Sequence, residues 1–456
     1  MEYTRKLAQA AADIRYESLP PEVVEKAKFC ILDFFANAYG SQELDAVGRI
    51  AAYIRSLCGP QTATAVGCGF KTGIHHAAFL NGTSAEAIES QDGYRYGGNH
   101  PGTAVIPAAL AVAEDKGSGG KDIIAAVVAG YEVASRIASC VHPQHTLSGF
   151  LPTGTCGAFG AATAASKLMG LDADGLLNAL GNAGYVLPIS MAETLMGGFT
   201  SKIVQGGQAA GAGITAAGLA GAGVTGVPYV LEGSHLNGGF AKITSGTTDP
   251  NLEKLVDGLG ETYCILDIYF KPFTSCRHTH GCAQATLELM ATKDFSVGDI
   301  ETIDAYTYGI AAIAVGKPVP PGSSLVSAQF SIPYVVAACL LDGKMGPAQL
   351  KEERIADPTL LDLTAKVQIH MDPKLNDAYP EYTASRIEIS LKNGSVLSKQ
   401  VDILKGDPRD PMTAEDLGKK MKDFAAGREP ATIDQIIESV LNLENIDNPG
   451  QLPLTA

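Results

Sequence analysis

Two stretches of this chain are built almost wholly from small residues: Cys156-Gly157-Ala158-Phe159-Gly160-Ala161-Ala162 and Gly206-Gly207-Gln208-Ala209-Ala210-Gly211-Ala212-Gly213. Alanine favours the helix, and side chains this short let one helix backbone approach another closely. Both stretches are therefore expected to be central helices of a tight bundle. Glycine-rich runs can also cradle a nucleotide, but Gly67-Cys68-Gly69-Phe70-Lys71-Thr72-Gly73 has the wrong spacing for a dinucleotide fingerprint. The sequence contains no GxxxxGK[ST], HExxH or GxSxG either.

The first 240 or so residues repeat a helical pattern. Pro20-Pro21 followed by Val23, Val24, Ala27, Ile31, Leu32 and Phe35 predicts a proline-started helix with one apolar stripe. Comparable segments recur near 45–57, 104–116, 121–140, 156–170 and 202–221. Beyond residue 266 the period changes to two. Thr302–Gly309 and Ala365–Met371 alternate apolar and polar, and Arg386–Leu391 leads through Lys392-Asn393-Gly394-Ser395 into Val396–Val401. Asn-Gly between alternating runs is a strong hairpin signal. Ile332–Leu341 and Ala348–Ile355 read as helices between these strands, Thr413 with Asp416 opens another with a capping box, and Ile433–Leu443 forms the last. The expected architecture is mainly α: a large helical domain from residues 1–266 and 408–456, with a smaller α/β domain from 267–407 between its parts.

The formal net charge of −15, with no cluster of five Lys or Arg, argues against nucleic acid or an anionic membrane as partner. No stretch approaches eighteen uninterrupted apolar residues, and nine cysteines lie scattered with no CxxC pair. The reading is a cytoplasmic protein with reduced thiols.

Three polar clusters interrupt the apolar sequence. The first runs from Glu89 through Asp92, Tyr94 and His100 to Pro101, in a glycine-rich stretch between two helices. Two carboxylates and an imidazole there can supply a general base and its partner, although a solvated, helix-capping loop has the same composition. The second is Lys202, at the start of a small-residue helix where a cation and unpaired N–H groups suit a carboxylate. The third, Lys271-Pro272-Phe273-Thr274-Ser275-Cys276-Arg277-His278-Thr279-His280, falls at the change of pattern. If that stretch is extended, Cys276, His278 and His280 share a face and could hold a metal. No second ligand cluster matches, so the reading is that no metal is bound.

These clusters occur in the order found in the MmgE/PrpD family, which the chain resembles over essentially its whole length. Further motifs carry the resemblance: Ala77-Ala78-Phe79-Leu80-Asn81-Gly82-Thr83, Gly149-Phe150-Leu151-Pro152-Thr153-Gly154-Thr155, Leu231-Glu232-Gly233, Gln329–Tyr334 and Gly406-Asp407-Pro408 with Pro411. The resemblance implies that the α/β domain of 267–407 is a lid inserted into the helical domain, and it implies a homodimer, an active site between domains, and no metal or organic cofactor. It implies chemistry that removes a proton or a carboxylate next to a carboxyl group. The family's site positions fall on Asp92, His100, Lys202 and Lys271, with Glu89, Tyr94, Leu151, Gln205, Cys276, Arg277, His278 and His280 around the substrate. The expected activity is a metal-independent, dehydratase-like lyase acting on a small di- or tricarboxylate. His100 is the acid/base group supported by Asp92, and Lys202 and Lys271 clamp carboxylates. An epimerase or a decarboxylase is the alternative. Glu89 stands where the family usually has Asp, Gln205 and Gln208 where it has His and Asn, and Leu151 where it has a histidine.

Overall fold

A computed structural model describes residues 2–57, 59–236, 238–247, 249–292 and 295–454. The helices Tyr3–Asp13, Pro21–Gly40, Asp45–Ser56, Ile74–Ala87, Gly102–Lys116, Gly120–Val141, Pro152–Leu168, Ala173–Val186 and Gln205–Gly221 form the body. The two small-residue helices, Pro152–Leu168 and Gln205–Gly221, pack directly on each other at its centre. Their glycines are required by contact. A Cβ on Gly213 would lie 2.4 Å from the Ala161 Cβ, and one on Gly207 would lie 2.1 Å from the Phe79 carbonyl oxygen. Gly120–Val141 is long and apolar enough to cross a membrane by composition, yet its apolar window is entirely buried inside the protein. It is a core helix.

The expected hairpin is present as Ser385–Leu391 paired antiparallel with Val396–Val401. It belongs to a four-stranded sheet in the order Val367–Met371, Ile300–Thr307, Ser385–Leu391, Val396–Val401, whose first pair is parallel. Ser385–Leu391 alternates buried and half-buried residues, as a sheet covered on one face requires. The helix His280–Ala291 packs on that strand and its neighbour, and Ile332–Asp342 packs on the helix. The architecture is thus mainly helical with a small α/β part.

Thr413 does form a capping box with Asp416, opening Ala414–Phe424, and Pro430–Leu441 follows. Both helices return to pack against Pro21–Gly40 near the N-terminus. Ala348–Ile355 is not one helix. A 3₁₀ turn at Pro347–Leu350 and a short helix at Glu352–Ile355 are separated by Lys351, whose extended backbone (φ −69°, ψ 143°) cannot carry a helical hydrogen bond across. Eight cysteines are free thiols, and Cys58 lies outside the described residues.

Candidate active site

The site is assembled where the end of the Ile74–Ala87 helix meets the start of the Gln205–Gly221 helix and the segment leading to the sheet. Glu86 lies in the last turn of Ile74–Ala87, fully buried, and Glu89 follows just beyond it with a left-handed backbone (φ +53°). Lys202 sits in the 3₁₀ turn Thr200–Val204 and donates to Glu86 Oε1 at 2.7 Å and to Glu89 Oε2. Lys271 donates to Glu89 Oε1 at 2.7 Å and to the Glu89 carbonyl at 3.2 Å. Gln205 Nε2 adds a further bond to Glu86 Oε1 at 2.8 Å. All four charged side chains are 2% exposed or less, so each charge depends on the others for its existence. Burial alone would raise the Glu89 pKa, but Lys202 and Lys271 outweigh it and hold the carboxyl well below its usual range. Burial opposes the charge on Lys202 too, and Glu86 and Glu89 more than offset it, raising the pKa above that of an ordinary lysine.

The two lysines are therefore not bare cations awaiting an anion, as their expected role of clamping substrate carboxylates implied. Each is engaged with a carboxylate of its own chain. A lysine ammonium has three N–H donors, and among the described residues two are used on each, leaving one N–H of Lys202 and one of Lys271 for a ligand.

His100 lies beside this array, half-buried. Its Nδ1 is 2.6 Å from the Asp92 carbonyl oxygen. A carbonyl can only accept, so Nδ1 carries the proton and Nε2 presents a lone pair. Burial first, and Lys271 second, lower its pKa to about 4, which leaves the ring neutral near pH 7. The expected support from Asp92 thus comes through its backbone, not its carboxylate. The carboxylate turns away, accepting from the Tyr131 hydroxyl at 2.6 Å and the Gly102 N–H at 3.2 Å. Burial pushes the Asp92 pKa up to about 7.

That shift fixes the sign of a test. Between its unfolded pKa near 3.8 and about 7, Asp92 binds a proton in the native state that the unfolded chain has lost, so its contribution to stability falls as pH rises through this window. Asp92→Asn removes the loss. Urea unfolding at pH 4 and pH 8 should show the variant gaining on wild type by roughly 4 kcal/mol across that range, and a pH-independent difference would mean that Asp92 ionises normally.

The Lys271–His280 stretch is not extended. Arg277–Thr279 forms a 3₁₀ turn and His280 opens the next helix, which removes the shared face on which a metal reading rested. Cys276 does face the array: its thiol is pushed up to about 11 by burial and by Glu89. His278 Nδ1 lies 2.5 Å from the Tyr308 hydroxyl, and burial together with Lys271 lowers its pKa to about 4. Three expected substrate contacts are spent elsewhere. Arg277 donates to the carbonyls of Phe270, Leu404 and Lys405, pinning the chain where it leaves the sheet. His280 donates from Nε2 to the Ser275 carbonyl at 3.0 Å and packs on Phe273. Tyr94 is in a two-residue strand paired with Ile268–Tyr269, and its hydroxyl bonds within the core to Cys264.

Leu151 is half-buried at the N-cap of Pro152–Leu168, and its N–H donates to the Ser190 carbonyl at 2.7 Å. Two residues on, the Thr153 hydroxyl accepts from the His100 N–H at 3.0 Å. Leu151 therefore stands at the margin of the site. The residue most plainly missed from sequence is Glu86. An acid inside Asn81-Gly82-Thr83-Ser84-Ala85-Glu86-Ala87-Ile88, among small and apolar neighbours, was the available signal.

A bundle closed by small residues, with a buried lysine–carboxylate array at the junction to an α/β part, matches one family in both halves. Residues 5–253 match the MmgE/PrpD N-terminal domain and residues 273–444 the MmgE/PrpD C-terminal domain. The chain belongs to the MmgE/PrpD family. Among its relatives is a cis-aconitate decarboxylase of Aspergillus terreus, 26% identical over 472 residues, covering 98% of this chain and 94% of that protein. The cis-aconitate decarboxylase of Homo sapiens is 26% identical over 464 residues, covering 98% and 92%. The cis-aconitate decarboxylase-like protein oryM of Aspergillus oryzae is 25% identical over 469 residues, covering 98% and 96%. Family and relatives together support an enzyme of the lyase kind.

Proposed function

We propose that this protein is a metal-independent lyase that removes a group from the carbon next to a carboxylate of a small di- or tricarboxylic acid. The observation that carries this reading is the neutral His100, with Nε2 unprotonated, beside two lysines that each keep one N–H. Those two N–H groups hold a substrate carboxylate, onto which charge spreads as the neighbouring carbon loses its proton or its CO₂. His100 Nε2 takes the proton in an elimination, while the departing hydroxide collects a proton from a second group. Cys276, whose thiol burial and Glu89 keep protonated, is the candidate for that role. In a decarboxylation the same lysines stabilise the carbanion left by CO₂, and an acid returns a proton to carbon. The relatives favour this second form. Residues 267–407 then act as the lid over a site floored by the helical body, and the protein works as a cytoplasmic homodimer, as the family resemblance implies.

Purified protein incubated with a panel of such acids in deuterated water, with and without prior dialysis against chelator, tests the reading by NMR. Alkene formation or CO₂ release that survives chelation supports it. Deuterium exchange with no product means an epimerase, and activity lost to chelator and restored by a divalent ion overturns metal independence.

Leu151 narrows the choice of acid. A leucine at the margin of the site cannot move a proton, so a substrate that needs one delivered from that side is poorly served. We expect little turnover of 2-methylcitrate or cis-aconitate compared with acids carrying an apolar group in place of one carboxylate. Steady-state rates on these acids check it, and efficient conversion of either citrate-like acid would show that the wall at Leu151 takes no part in catalysis.

A further inference from the structure

Glu89 and Ser190 are the two non-glycine residues with positive φ among the described residues, at +53° and +45°. An L-residue held there is strained by its Cβ, and such strain persists only where surrounding structure fixes it. Glu89 is the carboxylate between the two site lysines. Ser190 is nowhere near it in sequence, yet it is held at the same site. Its carbonyl accepts from Leu151 N–H at 2.7 Å, Ala192 N–H donates to the Gly149 carbonyl at 2.8 Å, and Phe150 and Met191 form a bridge between them. The first turn of Pro152–Leu168 also leaves room for it, since a Cβ on Gly154 would lie 2.2 Å from Ser190 Oγ.

So placed, the half-buried Ser190 hydroxyl donates to Gln205 Oε1 at 3.4 Å. That length is long for a hydrogen bond, as contacts at a site commonly are before substrate binds. The Glu86 carboxylate can only accept and so takes the Nε2 end of the Gln205 amide, and the Ser190 hydroxyl anchors the Oε1 end that is left. With Oε1 turned to Ser190, Nε2 donates to Glu86 Oε1 at 2.8 Å, the same oxygen that Lys202 holds at 2.7 Å. We infer that Ser190 is a positioning residue of the proposed carboxylate site: through Gln205 and Glu86 it aims the remaining N–H of Lys202 at the substrate, and its strained backbone is kept for that purpose. Were the strain incidental, a glycine would serve equally well at this position.

This inference rests on the proposed carboxylate site, and the test separates the two. Ser190→Gly keeps the left-handed backbone without the hydroxyl. It is expected to unfold at the wild-type urea midpoint while kcat/KM falls about tenfold, chiefly through KM, the scale of one hydrogen bond acting on a charged group. Ser190→Asn, which tolerates the same backbone and can bond to Gln205, should recover part of that loss. A Ser190→Gly enzyme with wild-type kcat/KM, or one whose lost activity follows only from a lower urea midpoint, overturns the inference. Crystal structures of wild type and Ser190→Gly provide an arm that needs no substrate. The Gln205 amide is expected to shift and lengthen its bond to Glu86 in the variant, with higher B-factors at its end, and an unmoved amide overturns the role of Ser190. If wild type converts none of the acids, the functional reading fails by itself, and the Gln205 geometry still decides the inference.

Discussion

Lys271→Met is expected to lower stability by about 3–5 kcal/mol, the usual effect of removing one partner from a buried ion pair. Lys271 is fully buried, and its ammonium is one of the two that hold Glu89 ionised. Without it Glu89 keeps Lys202, which is shared with Glu86, so three buried groups must divide a charge of −1. The cheapest relief is protonation of Glu89, whose pKa then rises. The sign follows. In wild type, Glu89 has a depressed native pKa, so its contribution is present above the unfolded value and is lost as pH falls through the native one. The variant should lose that contribution and approach wild type in stability only at low pH. The double variant Lys271→Met with Glu89→Gln restores neutrality and should recover most of the lost stability in urea unfolding. Catalysis should not recover with it. The N–H offered to the substrate is missing in both variants, which should lower kcat by roughly 10² to 10³. Wild-type stability in Lys271→Met would mean that Glu89 is already neutral, and restored turnover in the double variant would remove Lys271 from the mechanism.

The ion pairing behind this prediction shows where sequence reading stops. The residues by themselves offered three separate polar clusters, and it was the family resemblance that grouped Lys202, Lys271, His100 and Glu89 at one site. Local patterning recovered the Asn393-Gly394 hairpin and the Thr413 capping box, which lie within Ser385–Val401 and Thr413–Asp416. It could not say which way a side chain points when its partners come from distant segments. Arg277 finds three carbonyls, two of them more than a hundred residues away, and Asp92 turns its carboxylate to Tyr131, 39 residues on, while only its carbonyl serves His100. Glu86 escaped notice for a related reason. Its helix reads as ordinary core packing, and only the arrival of Lys202 from 116 residues away makes it part of a site.

His100→Gln tests the acid/base assignment, and its expected cost is a factor of roughly 10² to 10⁴ in kcat/KM. The fold should tolerate it, because the ring is neutral and its Nδ1–H bond to the Asp92 carbonyl can be made by an amide N–H. Its pH signature distinguishes the ring from its neighbours. With a native pKa of about 4 against about 6.5 unfolded, His100 leaves the native state short of a proton between these values. Its contribution therefore rises with pH across that window and is complete above it. Asp92, one bond away through its own carbonyl, has the opposite slope over an overlapping window. Wild type alone shows their sum, so each must be read as wild type minus variant. Removing His100 should leave stability falling as pH rises from 4 to 7, whereas removing Asp92 should leave it rising between pH 4 and 6.5 and level above. For catalysis, a base already neutral above about 4 places the acidic limb of kcat/KM near that value. An acidic limb near 6.5 that persists in His100→Gln would assign the proton transfer to another group. His278 would not supply that limb, because burial and the same Lys271 lower its pKa to about 4 as well.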